Sequence, residues 1–173
     1  FCLAGGRRWY YSTASTDLTV QSGTWRNVYV GTYGSKKTGG TEVSKVTGNA
    51  KFTMTGGTLT GFITPAYSSS AVIGGNVDIY LSNMSAATIY SAPVYTATVG
   101  GDVNITLGEG AVITGSVFTG GLGSGSVTGN YGNLTKEAPK AEPKKETPKA
   151  PKEPKVYAPA ETGSVEEKIE TFL

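Results

Sequence analysis

The sequence predicts an all-β chain wound as a right-handed parallel β-helix, a β-solenoid of about four coils of about 26 residues, followed by a disordered tail. Three observations carry this. A short pattern recurs without gaps in Gly48-Asn49-Ala50-Lys51-Phe52-Thr53-Met54, Gly75-Asn76-Val77-Asp78-Ile79-Tyr80-Leu81 and Gly101-Asp102-Val103-Asn104-Ile105-Thr106-Leu107. When the copies are superimposed, every inward position is apolar and every outward position is polar or aromatic, the period-two signature of a strand with one buried face. The Asn-Gly and Asp-Gly turns that join antiparallel hairpins occur nowhere in the chain, which argues against a β-sandwich.

The first copy is Ser15-Thr16-Asp17-Leu18-Thr19-Val20, and a partial last copy begins at Gly129-Asn130. A second apolar stretch follows each copy after a corner of small residues. These stretches are Gly23–Val30, Gly57–Ile63, Ser85–Tyr90 and Gly110–Phe118. One repeat therefore reads strand, corner, strand, variable loop, and the longest loop (31–46) explains the wider first spacing. A unit this short cannot close a core alone. Stacked on its own copies it can, with parallel strands about 4.8 Å apart and alternate side chains pointing in. The right hand follows from the usual sense of parallel crossovers.

The stacking predicts specific files. Leu18/Phe52/Ile79/Ile105 and Val20/Met54/Leu81/Leu107 point inward, with Ala50/Val77/Val103 above the same core. Thr19/Thr53/Tyr80/Thr106 and Asp17/Lys51/Asp78/Asn104 point outward, and the second of these sets a lysine between two carboxylates. Asn49/Asn76/Asp102 form a corner ladder whose side chains can bond the next coil's backbone.

Composition divides the chain into a solenoid domain (1–134), a Pro/Lys/Glu-rich disordered linker (135–163) and the start of a further, helical segment (164–173). Residues 136–155 hold five of the eight prolines with seven Lys and four Glu. Such a tract has almost no apolar surface to bury, and its prolines favour an extended spacer of about 3.1 Å per residue. Ser164 with Glu167 resembles a helix capping box. The chain reads as a piece of a larger polypeptide, with no signal peptide visible.

The same composition excludes several function classes. No His is present and Cys2 is the sole cysteine. That removes Ser-His-Asp and Cys-His catalysis, a disulfide framework and the common zinc sites. A net charge of +2 is too small to argue for nucleic acid. No run of 18 apolar residues exists, so membrane insertion is not expected. Charged residues make up only 16%, which with abundant Gly, Thr, Ser and Tyr fits a secreted β protein. The repeat-region acids Asp17, Glu42, Asp78, Asp102 and Glu109 are few and scattered, and Arg7, Arg8 and Arg26 all precede the coils that hold Asp78 and Asp102. No catalytic residue, cofactor or metal is therefore assigned. Tyr80 interrupts the outward Thr rank, which argues against an ice-binding face.

The repeat, as in Asp17-Leu18-Thr19-Val20, Gly23-Thr24-Trp25 and Val28-Tyr29-Val30, resembles the Gly/Thr-rich repeats of bacterial cell-surface proteins. Those are similar to pectin-lyase-like right-handed β-helices and adhesin passenger domains. The Lys/Pro/Glu tract looks like the stalks of Gram-positive surface proteins. The resemblance implies an extracellular location and a structural, adhesive role: a rigid rod displaying loops toward host glycans or surface proteins. The alternative it implies is a polysaccharide lyase, glycoside hydrolase or carbohydrate-binding module on the same scaffold. Aromatic rings stack on apolar faces and anchor interfaces, so the candidate ligand contacts are Tyr29, Tyr33, Tyr67, Tyr80, Tyr90 and Tyr95, with Phe118 nearby. Arg7-Arg8-Trp9-Tyr10-Tyr11 reads as part of a preceding coil or cap.

Overall fold

The computed structural model describes residues 2–3, 12–34, 43–68 and 70–138. The chain divides into two units, Phe1–Lys140 and Ala141–Leu173, and the second lies wholly outside the described residues. So do Arg7-Arg8-Trp9-Tyr10-Tyr11, half of the long first loop, most of the linker and the expected terminal helix.

Among the described residues there is no helix. In chain order the strands are β1 (Cys2–Leu3), β2 (Ser12–Thr13), β3 (Thr16–Val20), β4 (Thr24–Trp25), β5 (Val28–Tyr33), β6 (Lys45–Val46), β7 (Ala50–Met54) and β8 (Gly57–Tyr67). They continue as β9 (Val72–Ile73), β10 (Val77–Leu81), β11 (Met84–Tyr90), β12 (Thr98–Val99), β13 (Val103–Leu107), β14 (Val112–Phe118), β15 (Ser126–Val127) and β16 (Asn133–Lys136). They form three sheets, ordered β2-β6-β9-β12-β15, β3-β7-β10-β13-β16 and β1-β5-β8-β11-β14, with β4 also on β8. Every pairing is parallel, and strands of one sheet come from successive coils. The chain is a β-solenoid of about three turns. That is slightly fewer than the four coils expected.

The register is the one the repeat predicts. Leu18 pairs with Phe52, Phe52 with Ile79, and Ile79 with Ile105; Val20, Met54, Leu81 and Leu107 follow in the same way. Inward positions of β7, β10 and β13 are buried, and Phe52, Met54 and Leu81 are wholly enclosed. Each fully buried large side chain contributes about 1.5–3 kcal/mol, and the three sheets converge on this single cluster. The outward file carries a Lys51–Asp17 ion pair at 3.4 Å, and the Asn104 amide donates to Asp78 at 2.9 Å. Like charges are thus kept off neighbouring rungs, as parallel stacking requires.

The corner ladder is built of backbone-to-side-chain bonds. The Asn76 N–H donates to Asn49 Oδ1 (2.9 Å) and the Asp102 N–H to Asn76 Oδ1 (2.9 Å). The Asn130 N–H then donates to Asp102 Oδ1 at 2.7 Å. The glycine before each ladder residue has a steric cause. A Cβ on Gly75 would overlap Asn49 Oδ1 and the Gly48 backbone, and one on Gly101 would overlap Asn76 Oδ1.

The third sheet departs from strict alternation. Relative to β11, both β8 and β14 carry one extra residue, near Thr60-Gly61 and Thr114-Gly115. Such bulges bend the strand and re-aim side chains. β8 also runs on to Tyr67, beyond Ile63, and Pro65 falls within a further register shift against β5, where a residue without an N–H is tolerated. At the carboxyl end, β16 continues to Lys136 and the Glu137 N–H donates to the Leu107 carbonyl at 2.9 Å. Thr135 and Lys136 therefore belong to the last rung, not to the linker where composition placed them.

Candidate functional site

Five of the six tyrosines singled out above gather at one place on the third sheet. Tyr29 and Tyr33 lie on β5, Tyr67 closes β8, Tyr90 closes β11, and Tyr95 sits in the turn beyond it. Two phenylalanines join them. Phe62 touches Tyr29, Tyr67 and Tyr90 at centroid distances of 5.8, 5.9 and 5.7 Å. Phe118 stacks on Tyr90 at 4.9 Å with 12° between the planes. The rings form a connected aromatic ladder running from β5 to β14, along the stacking direction.

The residue types and the rung spacing explain why it forms. Equivalent positions of adjacent rungs lie about 4.8 Å apart, which is the centroid spacing at which aromatic rings attract. Tyr33 pairs with Tyr67 in the strand register and their rings stack at 5.3 Å and 14°. Tyr29 lies under the cluster at 5% exposure, 4.9 Å from Tyr67 and 5.1 Å from Tyr33. Its hydroxyl accepts from the Asn27 amide at 3.5 Å, and Asn27 Oδ1 accepts the Phe62 N–H at 3.2 Å. Burial pushes the Tyr29 phenol up.

Tyr95 is the outward member. It is 46% exposed and holds φ at 64°, a left-handed conformation that side chains with a Cβ rarely adopt. Its N–H donates to the Leu122 carbonyl, and Leu122 is itself exposed. Its ring meets Tyr67 edge-on at 5.0 Å, and the Tyr67 hydroxyl donates to the Tyr95 hydroxyl at 3.4 Å. That bond, followed by burial and the neighbouring phenols, pushes Tyr67 up to about 12 from the ordinary 10.0.

The raised value has a testable consequence. Between pH 10 and 12 the folded chain keeps the Tyr67 proton while the unfolded chain has lost it. The unfolded state then binds fewer protons, and stability falls as pH rises through that window. In an ultraviolet phenolate titration Tyr67 will ionise near 12, above the ordinary 10.0 of a phenol. Tyr95→Phe, which removes the acceptor, will bring it back toward 10. An unchanged titration in that variant would dissociate the shift from the hydroxyl pair.

Tyr80 stands apart. It lies on β10 in the central sheet, and its hydroxyl donates to Glu137 Oε2 at 3.1 Å. It borders an open cleft of about 580 Å³ lined by Ser82, Asn83, Glu109, Glu137 and Ala138. Of the acids considered from sequence, Glu42 lies outside the described residues, Asp78 and Asp102 are engaged in their ladders, and Glu109 reaches this cleft. Glu137 completes it and was hidden by its place in the Lys/Glu tract. Phe62 was missed for a different reason: the bulge at Thr60-Gly61 changes the phase of alternation just before it. Among the described residues no group of three or more Cys, Asp or Glu is placed to hold a metal ion. No described helix is long and apolar enough to cross a membrane.

No protein-family model, curated protein or solved structure matches this chain.

Proposed function

We propose that the chain is a structural and adhesive segment of an extracellular, bacterial surface protein. In this reading the β-solenoid is a rigid rod and the aromatic ladder is its contact surface for host glycans or surface proteins. One observation carries the reading. Tyr95 is half-exposed, fixed in a strained backbone conformation and backed by the stacked Tyr67 and Tyr33. Strain of this kind collects at binding sites because it must be held by its surroundings. A ring already ordered by its neighbours loses little entropy on contact, which is the property that makes aromatic anchors strong. The ladder itself is made of uncharged aromatic side chains, which favours an uncharged saccharide face over an acidic or basic partner.

The test is binding of the full chain to an array of neutral and acidic glycans, beside Tyr95→Gly. Glycine accepts φ of 64° without strain, so this variant removes the ring and leaves the turn in place. Neutral glycans should bind the parent chain and lose about tenfold or more in affinity with the variant, the usual effect of removing an aromatic anchor. Equal binding by both, or no binding by either, overturns the assignment.

The cleft beside Tyr80 favours a second reading, a carbohydrate-active enzyme using Glu109 and Glu137 as its carboxylate pair. Release of reducing ends from a polysaccharide, abolished by Glu109→Gln, would decide for it.

A further inference from the structure

Among the described residues the last rung ends in three strands, one per sheet, and their edges are not alike. In the first sheet the final strand, β15, is only two residues long. In the second, β16 places Lys136 in register with Leu107, so an inward apolar file ends in a charge. A very short strand and an inward-pointing lysine are both devices that prevent edge-to-edge pairing. The third edge has neither. β14 spans Val112-Ile113-Thr114-Gly115-Ser116-Val117-Phe118, carries no charge and no proline, and among the described residues pairs on one side only, with β11. Val112 is 55% exposed and Phe118 46%, while Ile113 and Val117 lean on the core from the rim.

The strand is also self-complementary when reversed about its centre. Placed antiparallel to a second copy with a two-fold axis at Gly115, Val112 faces Phe118, Ile113 faces Val117, and Thr114 faces Ser116. Glycine meets glycine at the axis. Each opposition is apolar on apolar or hydroxyl on hydroxyl, the pairs that stabilise adjacent strands. The bulge falls at Thr114-Gly115, so the bends of the two strands coincide at the axis. The inner files Leu59/Ala86/Ile113 and Ile63/Ile89/Val117 gain a further apolar member on the partner's side. The residues that follow the described rung, Pro139-Lys140-Ala141-Glu142-Pro143, offer no large apolar side chain to continue those files.

The geometry points to β14 as an isologous pairing edge through which two copies of this chain associate, antiparallel, about a two-fold axis at Gly115. This goes beyond the adhesive reading and does not depend on it, because the ring at the centre of that reading, Tyr95, is not part of the edge.

The experiment is sedimentation of the full chain over a concentration series, with two paired variants. Thr114 and Ser116 are exposed, and both variants lose the Thr114 hydroxyl's bond to the Ala86 carbonyl alike, so a difference between them reads the charge at position 116. The parent chain should pass from one to two chains in mass as concentration rises. T114K/S116K sets like charges directly opposite each other across the axis and should weaken association about tenfold or more. T114K/S116E keeps the first of those lysines but sets it opposite a carboxylate of the other copy, and should restore the dimer. A single-chain mass for the parent at every concentration overturns the proposal. So does a T114K/S116K chain that dimerises as the parent does, and so does failure of T114K/S116E to recover, which would refute the antiparallel register. Circular dichroism on both variants verifies that each keeps its β fold, and Tyr95→Gly, by leaving the dimer intact, separates this result from the glycan test.

Discussion

Phe52→Ala will lower unfolding stability by about 3–5 kcal/mol, the cost of truncating a fully enclosed aromatic side chain. Phe52 has no exposed surface and pairs with Leu18 on one side and Ile79 on the other. Its removal opens a void that touches three rungs at once. In a stack each coil is held by its neighbours alone, so one truncation weakens two inter-coil interfaces. The neighbouring Thr53 points outward on the same strand, and Thr53→Ala will change stability by about 0.5 kcal/mol or less. In a thermal melt the first variant should lose roughly 10–20 °C and the second almost nothing. A loss below about 1 kcal/mol for Phe52→Ala, or equal losses for the two, would mean that the file does not run through the core as described.

The contrast between Phe52 and Thr53 was legible before any coordinates, and the reason is geometric. A parallel stack repeats its environment every rung, so alternation in one strand is checked by alternation in the next. Leu18, Phe52, Ile79 and Ile105 had to share a file if Asp17, Lys51, Asp78 and Asn104 shared another. The third sheet offered no such check. Its bulges at Thr60-Gly61 and Thr114-Gly115 insert a residue in some rungs and not others, and a one-residue insertion reverses the apparent face of everything beyond it. That is why Phe62 escaped notice and why β8 was expected to stop at Ile63.

Composition was a poorer guide than register at the carboxyl end. Thr135, Lys136 and Glu137 look like linker by residue type, yet backbone bonds to the β13 strand hold them in the last rung. Residue type alone also left Tyr80 undivided from the ladder tyrosines. It belongs to the central sheet, where it meets Glu137. The aromatic cluster is defined by one sheet and its following turn, information that a set of aromatic positions does not contain.

Asn76→Ala will cost about 1–3 kcal/mol, a large effect for a half-buried polar residue, because it leaves a donor without its acceptor. The Asn76 side chain accepts the Asp102 N–H at 2.9 Å, while the Asn76 N–H donates to Asn49 Oδ1. The ladder is thus directional: each side chain caps the backbone of the following coil. Alanine removes one link and leaves the Asn49 link in place, so the damage should be local to the third and fourth rungs. Hydrogen exchange will show this as faster exchange of the Asp102 amide, while Val103, which donates to the Asn130 carbonyl at 2.8 Å, keeps its protection. Asn76→Asp retains an acceptor oxygen but brings a second carboxylate beside Asp102. That variant should lie between the parent and Asn76→Ala at low salt and recover as salt screens the repulsion. If Asn76→Ala and Asn76→Asp are equally destabilised at every ionic strength, the ladder's acceptor oxygens are not what fixes the corner, and the close approach of the Gly75 and Gly101 backbones alone must do so.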